Sequence, residues 1–128
     1  MPIEAYQENA FKLRQAQASE TVNLFAPSIL LLEVANTLWK GIKLKRLSEE
    51  DCREALEALA NASIAIYELE WQRASDVLDI ACKLDITVYD ATYVFLSEKL
   101  GAQLITSDNR LYEKAKGRFR LLHLKDYV

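Results

Sequence analysis

Apolar residues recur at spacings of three and four along most of the chain, broken by short continuous apolar runs. Alternating helices and strands are the expected result. Ile3, Tyr6, Ala10, Leu13 and Ala16 form a helical stripe over residues 2–19, with Pro2 suited to a first turn. Thr21 to Ala26 is a strand candidate that Pro27 should end. Ser28 to Arg46 reads as a long helix. Its first half, Ile29 to Ala35, is apolar nearly all round and is expected to be buried, and its basic second half to be wet. Ser48 before Glu49, Glu50 and Asp51 marks the next helix start, with Cys52, Ala55, Leu56 and Leu59 on one face. Ser63 to Leu69 alternates as a strand, and Trp71 to Leu84 is helical again. Tyr89 to Leu100 forms a mostly buried helix that Gly101 should cap. Gln103 to Thr106, Asn109 to Lys116 and Phe119 to Leu124 complete the pattern as strand, helix and strand. The fold class expected is α/β: a central parallel sheet between helix layers, in one helix-rich domain.

Composition narrows the chemistry. The 128 residues carry three Gly and two Pro, far below average usage, which excludes collagen-like and turn-rich all-β chains. A net charge of −3 argues against a general nucleic-acid coat but not against a local site. A single histidine, His123, excludes a His-rich zinc site and is read as structural. Cys52 and Cys82 form no CxxC pair and are read as buried, reduced thiols. No apolar run reaches membrane-spanning length, so no membrane association is expected and the cytoplasm is the expected compartment.

Three acids interrupt apolar surroundings. Glu33 lies within Leu30–Ala35, Asp90 within Thr87–Tyr93, and Asp108 just after the strand Leu104–Thr106. A carboxylate in such a place must cap a helix, pair with a cation or bind a metal, because unpaired burial costs several kcal/mol. Taken singly, Asp90 and Asp108 are readable as helix caps, and Glu33 as an exposed or ion-paired residue. Taken together at the strand-end edge of a parallel sheet, they form an oxygen-only site. Mg²⁺ and Mn²⁺ suit such ligands, and metal-assisted phosphodiester hydrolysis needs no histidine.

The segments Ala26–Asn36, Val88–Ala91 and Leu104–Leu111 resemble, in order and separation, the motifs of the PIN domain, and more narrowly of VapC-type toxin ribonucleases. The resemblance implies a PIN-like α/β/α fold and a Mg²⁺- or Mn²⁺-dependent endoribonuclease. It also implies a homodimer and a VapB-like antitoxin partner. It carries the family's second, third and fourth acids onto Glu33, Asp90 and Asp108, and a positioning hydroxyl onto Thr106. The family's first acid closes an N-terminal strand that has no counterpart here. Glu4 and Glu8 belong to the polar face of the first helix pattern. The expectation is therefore a single PIN-like domain over residues 1–128 that lacks its first strand, through a late start or a truncated homologue.

Two basic clusters are candidates for contact with the RNA substrate: Lys40, Lys43, Lys45 and Arg46, and the run Arg110, Lys114, Lys116, Arg118 and Arg120. Of these, Lys40 and Lys43 continue the helix that carries Glu33, and Arg110 closely follows Asp108. Trp39, Tyr89 and Tyr93 can stack bases but are assigned to core or dimer packing. The alternative to an active enzyme is an impaired module that dimerises or binds an antitoxin without cleaving RNA. A third reading is a nuclease acting on DNA or structured ends.

Overall fold

The computed structural model describes residues 23–127. They divide into two compact units, one of residues 24–68 and one that includes residues 69–127. The helix expected over 2–19, with Glu4 and Glu8, lies outside the described residues.

In residues 24–68 the order is β1 (Phe25–Pro27), α1 (Ile29–Lys43), α2 (Glu49–Ala60) and β2 (Ala65–Tyr67). β1 and β2 are parallel, with Phe25 opposite Ala65 and Pro27 opposite Tyr67. Pro27 thus closes the strand from within instead of ending it at Ala26, and the Ser28 N–H continues the pairing to Tyr67 O at 2.8 Å. α1 stops three residues short of Arg46. Lys45 turns left-handed at φ 59°, and the Arg46 N–H reaches back to Gly41 O at 2.9 Å. That is the Schellman closure, which satisfies the last helical carbonyls. α2 begins as the sequence predicts, with Ser48 Oγ accepting from the Asp51 N–H at 3.0 Å.

The second unit runs through a short 3₁₀ turn (Trp71–Arg73), α3 (Ala74–Leu84), α4 (Val88–Leu100), β3 (Leu104–Thr106), α5 (Asn109–Ala115), β4 (Leu121–His123) and a 3₁₀ turn (Leu124–Asp126). β3 and β4 are parallel across the α5 crossover, with Leu104 opposite Leu121 and Thr106 opposite His123. The core packs α3 and α4 against α5 through Val77, Ile80, Ala81, Leu84, Ala91, Val94, Leu111 and Ala115. Gly101, at φ 62°, closes α4 as expected, with the Ala102 N–H on Ser97 O at 2.9 Å. α3 ends on Asp85 at φ 53°, a strained place for a non-glycine residue. Lys114 Nζ braces that turn, donating to Asp85 O at 2.6 Å and Oδ2 at 3.3 Å.

Parallel pairing across helical crossovers is what the alternating pattern predicts. Among the described residues it takes the form of two separate two-stranded pairs. Burial departs from expectation in three places. No residue of α1 is buried, and Leu31 and Leu32 are 58% and 68% exposed. Cys82 is exposed, while Cys52 is buried, and both are free thiols. Trp39 and Tyr89 are exposed, so of their two assignments, core or dimer packing, the core one does not hold within this chain.

Candidate functional site

The clearest local construction surrounds Asp108. β3 delivers Thr106 to its carboxyl end, the edge where parallel sheets gather ligand-binding groups. Thr106 Oγ1 accepts from the Asp108 N–H at 3.0 Å, which fixes the turn between strand and helix. Asp108 Oδ1 then accepts from the Leu111 N–H at 3.1 Å and caps α5. The capping role that the sequence allows Asp108 is therefore real. It occupies one carboxylate oxygen and leaves Oδ2 with no hydrogen bond to the described residues.

Asp90 is built differently. It is the third residue of α4, and the cap is Thr87, whose Oγ1 accepts from the Asp90 N–H at 3.1 Å. The capping explanation for the Asp90 carboxylate thus passes to Thr87. Ala91 and Val94 are fully buried beside it, so the half-buried Asp90 stands on a rigid helical turn.

Glu33 is exposed on α1 in the other unit, where Glu33, Val34, Thr37 and Leu38 line an open hollow of about 320 Å³. Thr37 Oγ1 donates to Glu33 O at 2.9 Å. The structure thus presents the three acids in two units, with Asp90 and Asp108 both in residues 69–127. Among the described residues no group of three His, Cys, Asp or Glu side chains is gathered around a common point. The donor chemistry of Glu33, Asp90 and Asp108 is all carboxylate oxygen. With Oδ2 of Asp108 to spare, it fits a hard divalent cation better than a soft one.

The basic clusters differ in availability. Lys40, Lys43, Lys45 and Arg46 are all exposed. Lys43 Nζ stands 5.1 Å from the Trp39 ring centre, a cation–π contact on the outer face of α1. In the second cluster, Lys114 is spent on Asp85, Lys116 pairs with Glu113 at 2.8 Å, and Arg120 donates to Gly101 O at 3.0 Å. Glu113 holds the Lys116 ammonium above its ordinary range, and Lys116 holds the Glu113 carboxyl below its own. Arg110, two residues after Asp108, is exposed and pairs with no acid among the described residues.

Sequence reasoning did not single out Asn109. Its Oδ1 lies 2.6 Å from His123 Nε2, and the His123 ring is 1% exposed. The structural reading of His123 agrees with that burial. The signal for Asn109 was three-dimensional: register places His123 opposite Thr106, beside the turn that Asn109 follows.

Comparison with known proteins agrees with these motifs. The sequence matches the PIN domain family over residues 3–117. It is 36% identical over 115 residues to "Ribonuclease VapC3" of Pyrobaculum aerophilum, covering 89% of this chain and 84% of that one. It is 33% identical over 93 residues to "Ribonuclease VapC1" of Mycobacterium tuberculosis, covering 67% and 63%. The crystal structure of PAE2754 from Pyrobaculum aerophilum superposes with a TM-score of 0.68 at 25% identity, over 94% of this chain and 85% of that one. The turn from Thr106 to Asp108, the parallel strands and this agreement over nearly the whole length make the chain a VapC-like member of the PIN domain family.

Proposed function

We propose that the chain is a metal-dependent endoribonuclease of the VapC toxin type, hydrolysing RNA phosphodiester bonds. The observation that carries this reading is the 36% identity to a protein named as a ribonuclease, over a stretch that includes most of the chain. Family matching through both compact units supports treating residues 1–128 as one PIN-like domain.

In this reading Glu33, Asp90 and Asp108 hold Mg²⁺ or Mn²⁺. When bound, such an ion activates water and neutralises charge on the leaving oxygen. The protein's own contribution is position. Thr106 fixes the backbone of Asp108, the Leu111 N–H fixes one of its oxygens, and Thr87 fixes the turn carrying Asp90. Lys40, Lys43 and Arg110 supply sequence-independent attraction for the RNA backbone. A VapB-like antitoxin and a second copy of the chain are the proposed protein partners, and the cytoplasm is the proposed compartment. Among the described residues no helix is long and apolar enough to cross a membrane.

The test is cleavage of an RNA oligonucleotide with Mg²⁺, with EDTA, and by the Asp90→Asn variant. Cleavage that requires the metal and disappears in the variant is expected. Cleavage in EDTA, or by the variant at the wild-type rate, contradicts the reading. The second reading is a binding module without catalysis. It is favoured by the lack of three gathered ligands among the described residues. Calorimetric titration with Mn²⁺ separates the two: heat of binding together with RNA cleavage supports the enzyme, and neither supports the module.

A further inference from the structure

A chain of hydrogen bonds runs from the end of the second unit to the residue beside Asp108. The Lys125 N–H donates to His123 Nδ1 at 3.2 Å. A ring nitrogen that accepts a hydrogen bond carries no proton, so the ring proton must sit on Nε2. That nitrogen lies 2.6 Å from Asn109 Oδ1. The two ends of a carboxamide look alike, and their assignment has to come from their partners. Here the partner decides, because only the oxygen can accept from Nε2–H. The Asn109 amide nitrogen is thereby turned away from the ring. The anchor is firm: His123 is 1% exposed and the Tyr112 ring meets it edge-on at 5.5 Å. Asn109 itself is exposed, and its Nδ2 donates to no group among the described residues.

We propose that Asn109 is a substrate-positioning residue whose Nδ2–H donates to a phosphodiester oxygen of RNA, and that buried His123 holds the carboxamide in the donating orientation. The proposal rests on the ribonuclease reading of the Asp108 site. Neutral side-chain amides are common donors to phosphate oxygens. Fixing the amide before substrate arrives removes an ordering cost from binding. His123 acts only through Asn109 and takes no part in the chemistry.

His123 is the sole histidine of the chain, so ¹⁵N-histidine labelling gives the spectrum of one imidazole with nothing to assign. The wild type should show a neutral ring protonated at Nε2. A ring protonated at Nδ1 overturns the proposal. Two variants test the contact, with RNA binding followed by fluorescence anisotropy in EDTA, where no metal is present. Asn109→Asp keeps an acceptor for His123 and loses the donor. Asn109→Ala loses both and adds no charge. Both should bind RNA about tenfold more weakly, the scale of one hydrogen bond to a charged oxygen. The Nε2-protonated spectrum should persist in Asn109→Asp. Wild-type binding by Asn109→Asp shows a structural residue only. Wild-type binding by Asn109→Ala with weak binding by Asn109→Asp shows charge repulsion only. Each of those results overturns the contact, as does a wild type that binds no RNA. Cleavage in Mg²⁺ is scored separately: its absence in the wild type counts against the ribonuclease reading, while the EDTA arm still decides the contact.

Discussion

Residues 24–68 and 69–127 contain similar elements and very different interiors. Both have a parallel strand pair and helices with well-made ends. Yet the buried apolar cluster lies entirely in the second, whereas Ala26, Pro27 and Cys52 are the buried apolar side chains that β1 and the helices of the first contribute. Glu33 stands on a helix with no buried residue, while Asp108 stands on a turn tied at Thr106 and Leu111 and backed by buried Leu111. A fixed carboxylate keeps its geometry only when its supporting shell is packed. The second region therefore holds its Asp108 carboxylate on a packed, hydrogen-bonded turn, whereas the first carries Glu33 on an exposed helix.

The largest expected effect tests the difference in interiors. Leu84→Ala should cost about 2–5 kcal/mol by denaturant unfolding, because a core side chain is lost and a cavity remains. Leu32→Ala, at a 68% exposed position, should cost under about 0.5 kcal/mol. Equal costs would erase the comparison. The next effect tests whether helix ends are equally well made in both regions. Ser48→Ala and Thr87→Ala each remove one capping oxygen and should each cost about 1 kcal/mol. A loss confined to Thr87→Ala would mean that the first region does not share in the cooperative unfolding.

The smallest effect concerns the surface pair Glu113 and Lys116. The Glu113 carboxyl is held below its ordinary range, so its contribution is present above the usual carboxylate range. That contribution is lost as pH falls through the depressed value. Lys116 is held above its ordinary range, so its contribution is lost only as pH rises past the usual lysine range. Glu113→Gln should lower the thermal midpoint slightly at neutral pH, and the difference should shrink as pH falls through the depressed value. A larger effect in acid would contradict the assignment.

The legible parts of the sequence were those fixed by local chemistry. Ser48 with three following acids, Gly101 after an apolar helix, and the strand Leu104–Thr106 before Asp108 all fold as their residues dictate. The Asp108 turn was legible because strand end, hydroxyl and cap fall within three residues. Burial was legible only where periodicity was accompanied by partners. Ile29 to Leu32 reads as core by composition, but exposure depends on what packs against it, and a run apolar on all sides does not say which side is covered. Trp39, read as core or dimer packing, is not part of a core for a related reason: its apolar body lies on the exposed side of α1, with Lys43 over the ring. The capping alternative for Asp90 does not hold because Thr87, three residues earlier, starts the helix and accepts from the Asp90 N–H, which puts Asp90 inside the first turn. Asn109 was invisible because its role depends on a histidine fourteen residues away, brought close by strand pairing.

The central claim is that Asp108 is both a cap and a ligand, and Asp108→Asn separates the two. Asparagine caps a helix about as well as aspartate, so the fold should lose no more than a few tenths of a kcal/mol. It cannot supply the carboxylate charge that a hard cation needs. Mg²⁺-dependent RNA cleavage measured beside the thermal midpoint should therefore fall by about a hundredfold or more with the midpoint unchanged. Cleavage at the wild-type rate by the folded variant would show that Asp108 is a cap and nothing else.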